Sequence, residues 1–147
     1  MKTFQRGQLW LVNFEPSIGH EYRKVRPAVI VQQERYISTG SLLTVIPLST
    51  QLHKARKLDV RIEKNATNRL LKDSLAKTVQ ISSFDRQRFI KYIGTLNDDV
   101  MERLDANIHQ FLFGALCPVI TEGSSESRRP VKKSSSMQEQ DEMENRE

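Results

Sequence analysis

The chain has 147 residues, with 23 Lys and Arg against 18 Asp and Glu and a formal net charge of +5. This length suits one domain, and the 37% hydrophobic content permits only a modest core. The apolar runs are too short to cross a bilayer, the N-terminus has no signal-peptide pattern, and the single cysteine, Cys117, excludes an intrachain disulfide and a cysteine-based zinc site. The chain is therefore expected to be a cytoplasmic protein without a membrane span.

The charge is divided unevenly along the chain. Residues 1–120 carry 18 basic and 11 acidic side chains, whereas residues 121–147 carry five basic and seven acidic ones. The basic body favours polyanionic partners, and composition alone leaves RNA, DNA and an acidic protein open. The end of the chain is rich in Ser, Glu and Gln and has too few large apolar side chains to offset the entropy of ordering. We expect a folded domain over residues 1–118 and a disordered tail over residues 119–147.

Six short segments have the composition of β-strands. In the first segment, Trp10, Val12 and Phe14 share one face at a period of two, which places Trp10 in the core rather than on a base-stacking surface. Pro47, near the end of the third segment, is expected at a sheet edge, a bulge or the strand end. The predicted strands cover residues 8–14, 27–32, 42–48, 58–63, 75–81 and 92–96.

The period changes to that of a helix after residue 96. Asn97 and the acidic residues that follow it form a favourable helix N-terminus. Apolar residues then recur at three- and four-residue spacing up to Leu112, and Gly114 is a suitable C-terminal cap. A short helical turn is also possible around residues 85–89. The pattern predicts a mainly β (α+β) fold, a small barrel followed by one amphipathic helix.

Several common site types are missing from the sequence. There is no glycine-rich phosphate loop and no nucleophile-elbow motif. The three histidines, His20, His53 and His109, are far apart along the chain, which argues against a metal site built from them. We therefore expect neither a metal nor an organic cofactor.

A series of collinear segments resembles the MazF/PemK toxins. They extend over most of the body, roughly residues 5–115, so their order and spacing carry the resemblance rather than any single motif. The segments comprise residues 7–16, 19–21, 26–31, 47–51 and 79–89, followed by 93–96 and the helix.

The resemblance implies a fold, an activity and partners. The fold would be an SH3-like β-barrel with a C-terminal helix, assembled as a homodimer. The activity would be that of a toxin–antitoxin endoribonuclease that cuts single-stranded mRNA at selected sequences without a metal. The products would be a 2′,3′-cyclic phosphate and a 5′-hydroxyl. The partners would be RNA and a cognate antitoxin, with DNA binding in the antitoxin complex.

Two residues match the catalytic positions of that family. Arg26 precedes Pro27, which holds it in an extended conformation, and its guanidinium can grip two phosphate oxygens. The alternative is a structural arginine paired with Glu15 or Glu21. Ser49 matches a family Thr or Ser whose hydroxyl could bond the scissile phosphate, the alternative being a strand-end hydroxyl that bonds backbone. A one-residue shift of the alignment would select Thr50 instead.

Two loop residues complete the candidate catalytic set, and two residues of the later substrate-side strand are candidate RNA contacts. Glu21 and His20 could take up the 2′-hydroxyl proton, and an imidazole is chemically the better proton-transfer group. Either could equally be a solvated loop residue. Gln80 and Ser82 match the substrate side of the family's barrel. Some relatives carry Asp or Arg at the position of Ser82, so a serine here leaves a second basic contact in doubt.

The remaining candidates are RNA-backbone contacts. A basic loop follows the third predicted strand, and a second basic stretch precedes Arg26. Both could track phosphates, and a solvated loop is an equal alternative. The candidates in these two stretches are Arg23, Lys24, Thr50, Gln51, His53 and Lys54.

Two other functions remain open at this point. One is a toxin of the same fold that inhibits a protein such as gyrase without cutting RNA, because fold does not fix chemistry. The other is a basic module that binds RNA and leaves it intact. The acidic residues 139–147 could also cover the basic body of the same chain.

Overall fold

The computed structural model describes residues 2–21 and 24–114. Cys117, Arg23, the boundary predicted at residue 118 and the predicted tail lie outside this part of the chain. The strands are β1 (Gln8–Asn13), β2 (Val25–Ile30), β3 (Leu42–Ser49), β4 (Val60–Ile62), β5 (Ser74–Ala76), β6 (Ser82–Asp85) and β7 (Phe89–Thr95). The helices are α1 (Glu34–Ile37) and α2 (Asp98–Phe113), with 3-10 turns at Leu52–Lys54, Thr78–Gln80 and Arg86–Arg88.

The strands form one antiparallel sheet in the order β4-β5-β3-β2-β1-β7. The long strand β3 has β2 on one side, and on the other side it pairs first with β6 and then with β5. The hydrogen-bonded path that the structure describes runs from β4 to β7 without closing into a ring. This barrel-like arrangement with a C-terminal helix confirms the predicted fold.

Two apolar clusters stabilise the sheet. Successive side chains of the central strands point alternately into one cluster and into the other. Leu9, Val29 and Ile46 belong to the cluster that is covered by α2. Trp10 belongs to the other cluster and is only 4% exposed, which confirms its predicted place in the core. Its ring centroid lies 4.6 Å from that of Phe4, a separation at which aromatic pairs attract.

Helix α2 begins and ends where the sequence predicts. The side chain of Asn97 accepts a hydrogen bond from the backbone N–H of Val100 at 3.0 Å and caps the helix N-terminus. Gly114 ends the helix with a φ of 87°, a conformation that glycine adopts without strain. Arg6 donates two hydrogen bonds of 2.6 Å to the carboxylate of Asp105 and so joins the helix to the N-terminal segment. Neither described helix is long and apolar enough to span a membrane.

The single strand predicted over residues 75–81 is wrong. Only β5 at its start is extended, because the backbone N–H of Gln80 bonds the carbonyl of Lys77 at 2.8 Å and closes a 3-10 turn. The chain then re-enters the sheet as β6, which pairs with the first half of β3. The polar sequence of β6, Ser-Ser-Phe-Asp, has no apolar alternation that would mark it as a strand. The predicted turn at residues 85–89 is confirmed by the 3-10 turn Arg86–Arg88.

Pro47 lies within a central strand, two residues before its end, and not at an edge strand. It is opposite Ala28 of β2 and sits between the segments of β3 that pair with β6 and β5. Its carbonyl accepts from the backbone N–H of Lys77 at 2.9 Å. In an antiparallel ladder the N–H and the C=O of one residue point to the same neighbouring strand. The N–H that Pro47 lacks would therefore point to the side where β3 changes its partner from β6 to β5, and no ladder bond is lost there.

Gly94 in β7 provides the first stability prediction. A Cβ at this position would lie 2.4 Å from the carbonyl oxygen of Asn68, whose own side chain is fixed by three hydrogen bonds in the loop before β5. We expect Gly94→Ala to lower the free energy of unfolding by about 1–3 kcal/mol or more, as overpacking does. Chemical denaturation measures this change. Gly40→Ala is the matched control, since its Cβ would have no neighbour closer than 3.9 Å; equal losses in both variants would contradict the prediction.

Candidate functional site

The register of β2 against β3 determines where the two central candidates lie. The paired residues are Ala28 with Pro47, Val29 with Ile46 and Ile30 with Val45. Continued by two residues, the same register sets Arg26 opposite Ser49. Directly opposed residues of an antiparallel pair place their Cβ atoms about 5 Å apart on one face. The half-buried Arg26 is paired with Val12 of β1, which fixes its backbone on that side.

Ser49 is held at the end of β3. It is 9% exposed, and its backbone is opposite Leu75 of β5. Its Oγ accepts a hydrogen bond from the backbone N–H of Gln51 at 3.1 Å. This is the backbone contact anticipated as the alternative for Ser49, and it leaves the hydroxyl proton free to act as a donor. A hydroxyl with one lone pair committed has a defined orientation.

Ser49 opens onto a cavity of 710 Å³, which we call the Ser49 cleft. The cleft brings together five of the predicted site residues and is strongly basic at its rim, where Lys54, Arg56 and Lys57 are exposed. The predicted residues among its lining are His20, Ser49, Gln51, Lys54 and Gln80. A basic cleft of this size fits a short stretch of a polyanion.

A smaller cavity of 230 Å³ adjoins the Ser49 cleft and shares Gln80 with it. We call it the Glu21 pocket, and its lining includes Glu21, Ser82, Pro47 and Phe84. Glu21 accepts a hydrogen bond from the backbone N–H of Ile18 at 2.9 Å and so shapes the loop between β1 and β2. The hydroxyl of Ser82 donates to the carbonyl of Gln80 at 3.0 Å and supplies no charge.

Three other candidates lie away from these two cavities. Thr50 lines a separate cavity of 650 Å³, the Thr50 groove, together with Pro27, Leu71 and Tyr92. Adjacent residues of an extended chain point to opposite sides, which accounts for the divergence from Ser49. His53 is an exposed residue of the 3-10 turn that follows β3.

Lys24 lies at the end of the loop that contains Glu21. It is exposed and has a φ of 64°, in the left-handed region that is unfavourable for a side chain with a Cβ. Its backbone N–H donates to the carboxylate of Glu15 at 2.7 Å, and its carbonyl accepts from Phe14 at 2.8 Å. These contacts stabilise the loop conformation immediately before Arg26.

Sequence reasoning missed an ion pair beside the cleft. Lys77, one of the lining residues, forms a salt bridge with Asp59, and the two side chains are 13% and 1% exposed. The strand predicted over residues 58–63 is wrong at Asp59, which precedes β4 and has a carboxylate that turns inward. The signal was available: Lys77 shares the alternation of Leu75, and a lysine on an apolar face needs an anion.

Within residues 2–21 and 24–114, no group of three or more His, Cys, Asp and Glu side chains could hold a metal ion. The polar lining of the Ser49 cleft consists instead of cations, amides, an imidazole and a hydroxyl. Such a set suits the binding of phosphate oxygens.

Residues 5–112 match the sequence model of one protein family, described as the PemK-like, MazF-like toxins of type II toxin–antitoxin systems. A curated relative, endoribonuclease MazF9 of Mycobacterium tuberculosis, is 29% identical over 106 residues. The matched region covers 69% of this chain and 89% of that relative.

Solved structures resemble the fold. A crystal structure of MazF from Deinococcus radiodurans has a TM-score of 0.67 at 21% identity, covering 76% of this chain and 98% of that chain. A mycobacterial endoribonuclease in complex with its cognate antitoxin has a TM-score of 0.59 at 14% identity, covering 75% of this chain and 95% of that chain. At these identities the likeness concerns the fold.

The buried ion pair leads to a second stability prediction. Lys77→Met leaves the Asp59 carboxylate buried without its cation, and breaking a buried pair in this way costs about 3–5 kcal/mol. Adding Asp59→Asn removes the unpaired charge, so the double variant should regain most of that loss. Denaturant unfolding of the two variants measures the difference. If single and double variants are equally stable, the pair is not a buried charge interaction.

Proposed function

The chain belongs to the PemK-like, MazF-like toxins of type II toxin–antitoxin systems and is an endoribonuclease toxin, and we propose that it cuts single-stranded RNA in the Ser49 cleft without a metal. The observation that carries this proposal is the β2–β3 register: continued by two residues beyond its last pair, it would set Arg26 opposite Ser49, which lines a basic cleft. Substrate selectivity would come from the loops around the cleft. Residues 1–118 would form the catalytic domain and residues 119–147 an accessory tail.

The proposed reaction uses the RNA's own nucleophile. The 2′-oxygen attacks the adjacent phosphorus, the bond from phosphorus to the 5′-oxygen breaks, and a 2′,3′-cyclic phosphate and a 5′-hydroxyl result. The 2′-hydroxyl proton leaves to a base, and the leaving 5′-oxygen receives a proton. Between these events the phosphorane carries an additional negative charge, which positive groups must stabilise.

We assign charge stabilisation to Arg26 and orientation of the phosphate to Ser49. A guanidinium stays protonated in proteins, so Arg26 can stabilise the phosphorane through two N–H bonds but is unsuited to accept a proton. The Ser49 hydroxyl, oriented by its bond from Gln51, can donate to a phosphate oxygen or to the leaving oxygen. A donor fixed before the reaction needs no reorganisation in the transition state.

We assign proton transfer to His20, with Glu21 as the second candidate. His20 lines the same cleft as Ser49, and an imidazole can accept and donate protons near neutral pH. Glu21 lies in the adjoining pocket, where its carboxylate is already bonded to the loop backbone. Lys54 and Gln51 would contact the RNA backbone at the rim of the cleft, where their side chains line it.

The partners follow from the family. A cognate antitoxin would neutralise the toxin, and the solved complex of a mycobacterial endoribonuclease with its antitoxin supports this proposal. We also propose a homodimer that acts on mRNA in the cytoplasm. If RNA stays intact in the cleavage experiment, the result would favour the alternative of a toxin of the same fold that inhibits a protein.

The first test of function is RNA cleavage in EDTA. We expect purified protein to cut a long single-stranded RNA at discrete positions that carry 5′-hydroxyl ends. Arg26→Ala should slow cleavage by about 10³-fold because the phosphorane loses its cation. Arg26→Lys should recover only part of the rate, since an ammonium lacks the two-pronged geometry. Intact RNA from folded, antitoxin-free protein would overturn the proposal.

The second test separates Ser49 from Thr50. Ser49→Ala should lower the single-turnover cleavage rate by about 10²-fold through loss of the oriented hydroxyl. Thr50→Ala removes a hydroxyl that lines the Thr50 groove, so its rate should stay within about threefold of the wild type. Thermal melting of both variants is the folding control. The reverse ranking would assign the site hydroxyl to Thr50.

A further inference from the structure

Lys77 is placed beside the reacting groups by the backbone as well as by its side chain. It follows β5, whose residue Leu75 is paired with Ser49. Its backbone N–H donates to the carbonyl of Pro47 at 2.9 Å. This bond holds the Lys77 backbone beside Pro47, which is two residues before Ser49 in β3. Lys77 is one of the residues that line the Ser49 cleft, together with Ser49 and Gln80. Lys77 therefore has a fixed position relative to the hydroxyl of the site.

The ammonium group of Lys77 is held by two acceptors. Asp59 provides the ion pair, and the carbonyl of Lys54 lies 3.4 Å from Nζ. The Asp59 carboxylate is itself anchored, because its Oδ2 accepts from the backbone N–H of Arg56 at 2.8 Å. An ammonium has three N–H donors, and these contacts account for two of them. The third can donate to a phosphate oxygen in the cleft.

The charge of Lys77 interacts with its surroundings more strongly than the charges of the other lysines that line the cleft. Lys54 and Lys57 are exposed, so water and salt screen them. Lys77 is 13% exposed, and charges in such a setting interact more strongly because the local dielectric constant is lower. The charge of Lys77 is therefore the least screened among the lysines that line the cleft.

We infer that Lys77, oriented by Asp59, is a further phosphate-contacting residue of the RNA-cleaving site and stabilises the phosphorane together with Arg26. This inference rests on the proposed function, since it concerns the same phosphate. Asp59 is a positioning residue in this arrangement: it holds the ammonium without touching RNA.

The test compares two variants that differ in the ammonium group. Asp59→Asn alone keeps Lys77 charged, whereas Lys77→Met combined with Asp59→Asn removes both charges and leaves the net charge of the protein unchanged. We expect the double variant to lower the single-turnover cleavage rate by about 10²-fold, and Asp59→Asn, which keeps the ammonium but loses the carboxylate that orients it, to lower the rate by a smaller amount, about 10-fold. Thermal melting is the folding control for both variants.

Binding supplies a second, independent readout. The probe is an RNA that the wild type cuts, with a 2′-O-methyl group blocking the attacking hydroxyl at the mapped position. Losing one phosphate contact should reduce the slope of log affinity against log salt by about 0.7 for a single strand. Lys64→Met, which removes an exposed lysine outside both cavities, is the control and should leave the cleavage rate unchanged.

Three outcomes would overturn the inference. Equal losses in Asp59→Asn and in the double variant would mean that the pair only supports the fold. A folded double variant with wild-type rate and salt slope would mean that Lys77 does not contact the phosphate, while the proposed function stands. RNA left intact by the wild type would overturn the proposed function and this inference together.

Discussion

The register between β2 and β3 is the constraint on which the site depends. Because side chains alternate along a strand, a shift of one residue would carry Ser49 to the face of the Thr50 groove and separate it from Arg26. The register is fixed by the core itself, since Val29 and Ile46 belong to one buried cluster and Ile30 and Val45 to the other. The packing of apolar side chains therefore sets the geometry of the polar ones.

Much of the fold was predictable because several of its strands and its long helix have clear local sequence patterns. The alternation in β1 and the capped, amphipathic α2 depend on near neighbours in sequence. The failure over residues 75–81 is of another kind, since β5 and β6 are strands through their pairing with β3 and the turn between them interrupts a continuous alternation. A contact between distant segments cannot be read from a local period.

The site residues likewise fall into those that the sequence predicted and those that depend on contacts between distant segments. Arg26, Ser49 and Gln80 were found through their match to family positions, and the structure brings Ser49 and Gln80 into one cleft. The pair of Lys77 and Asp59 was missed because its partners are 18 residues apart and each was assigned to a regular strand. An ion pair between two separate segments can be recognised only when the positions of both side chains in the structure are known.

Arg26 and Ser49 project from paired strands, whereas much of the cleft wall belongs to connecting segments, such as the loop before β2, which carries His20, and the turn after β3. These two parts of the molecule can therefore diverge at different rates. The turn after β3 can lengthen, shorten or change composition without disturbing the ladder or His20, so a lineage can explore new target sequences while it keeps one chemical step. Conversely, an insertion within β3 would abolish the step in every descendant, whatever its loops recognise.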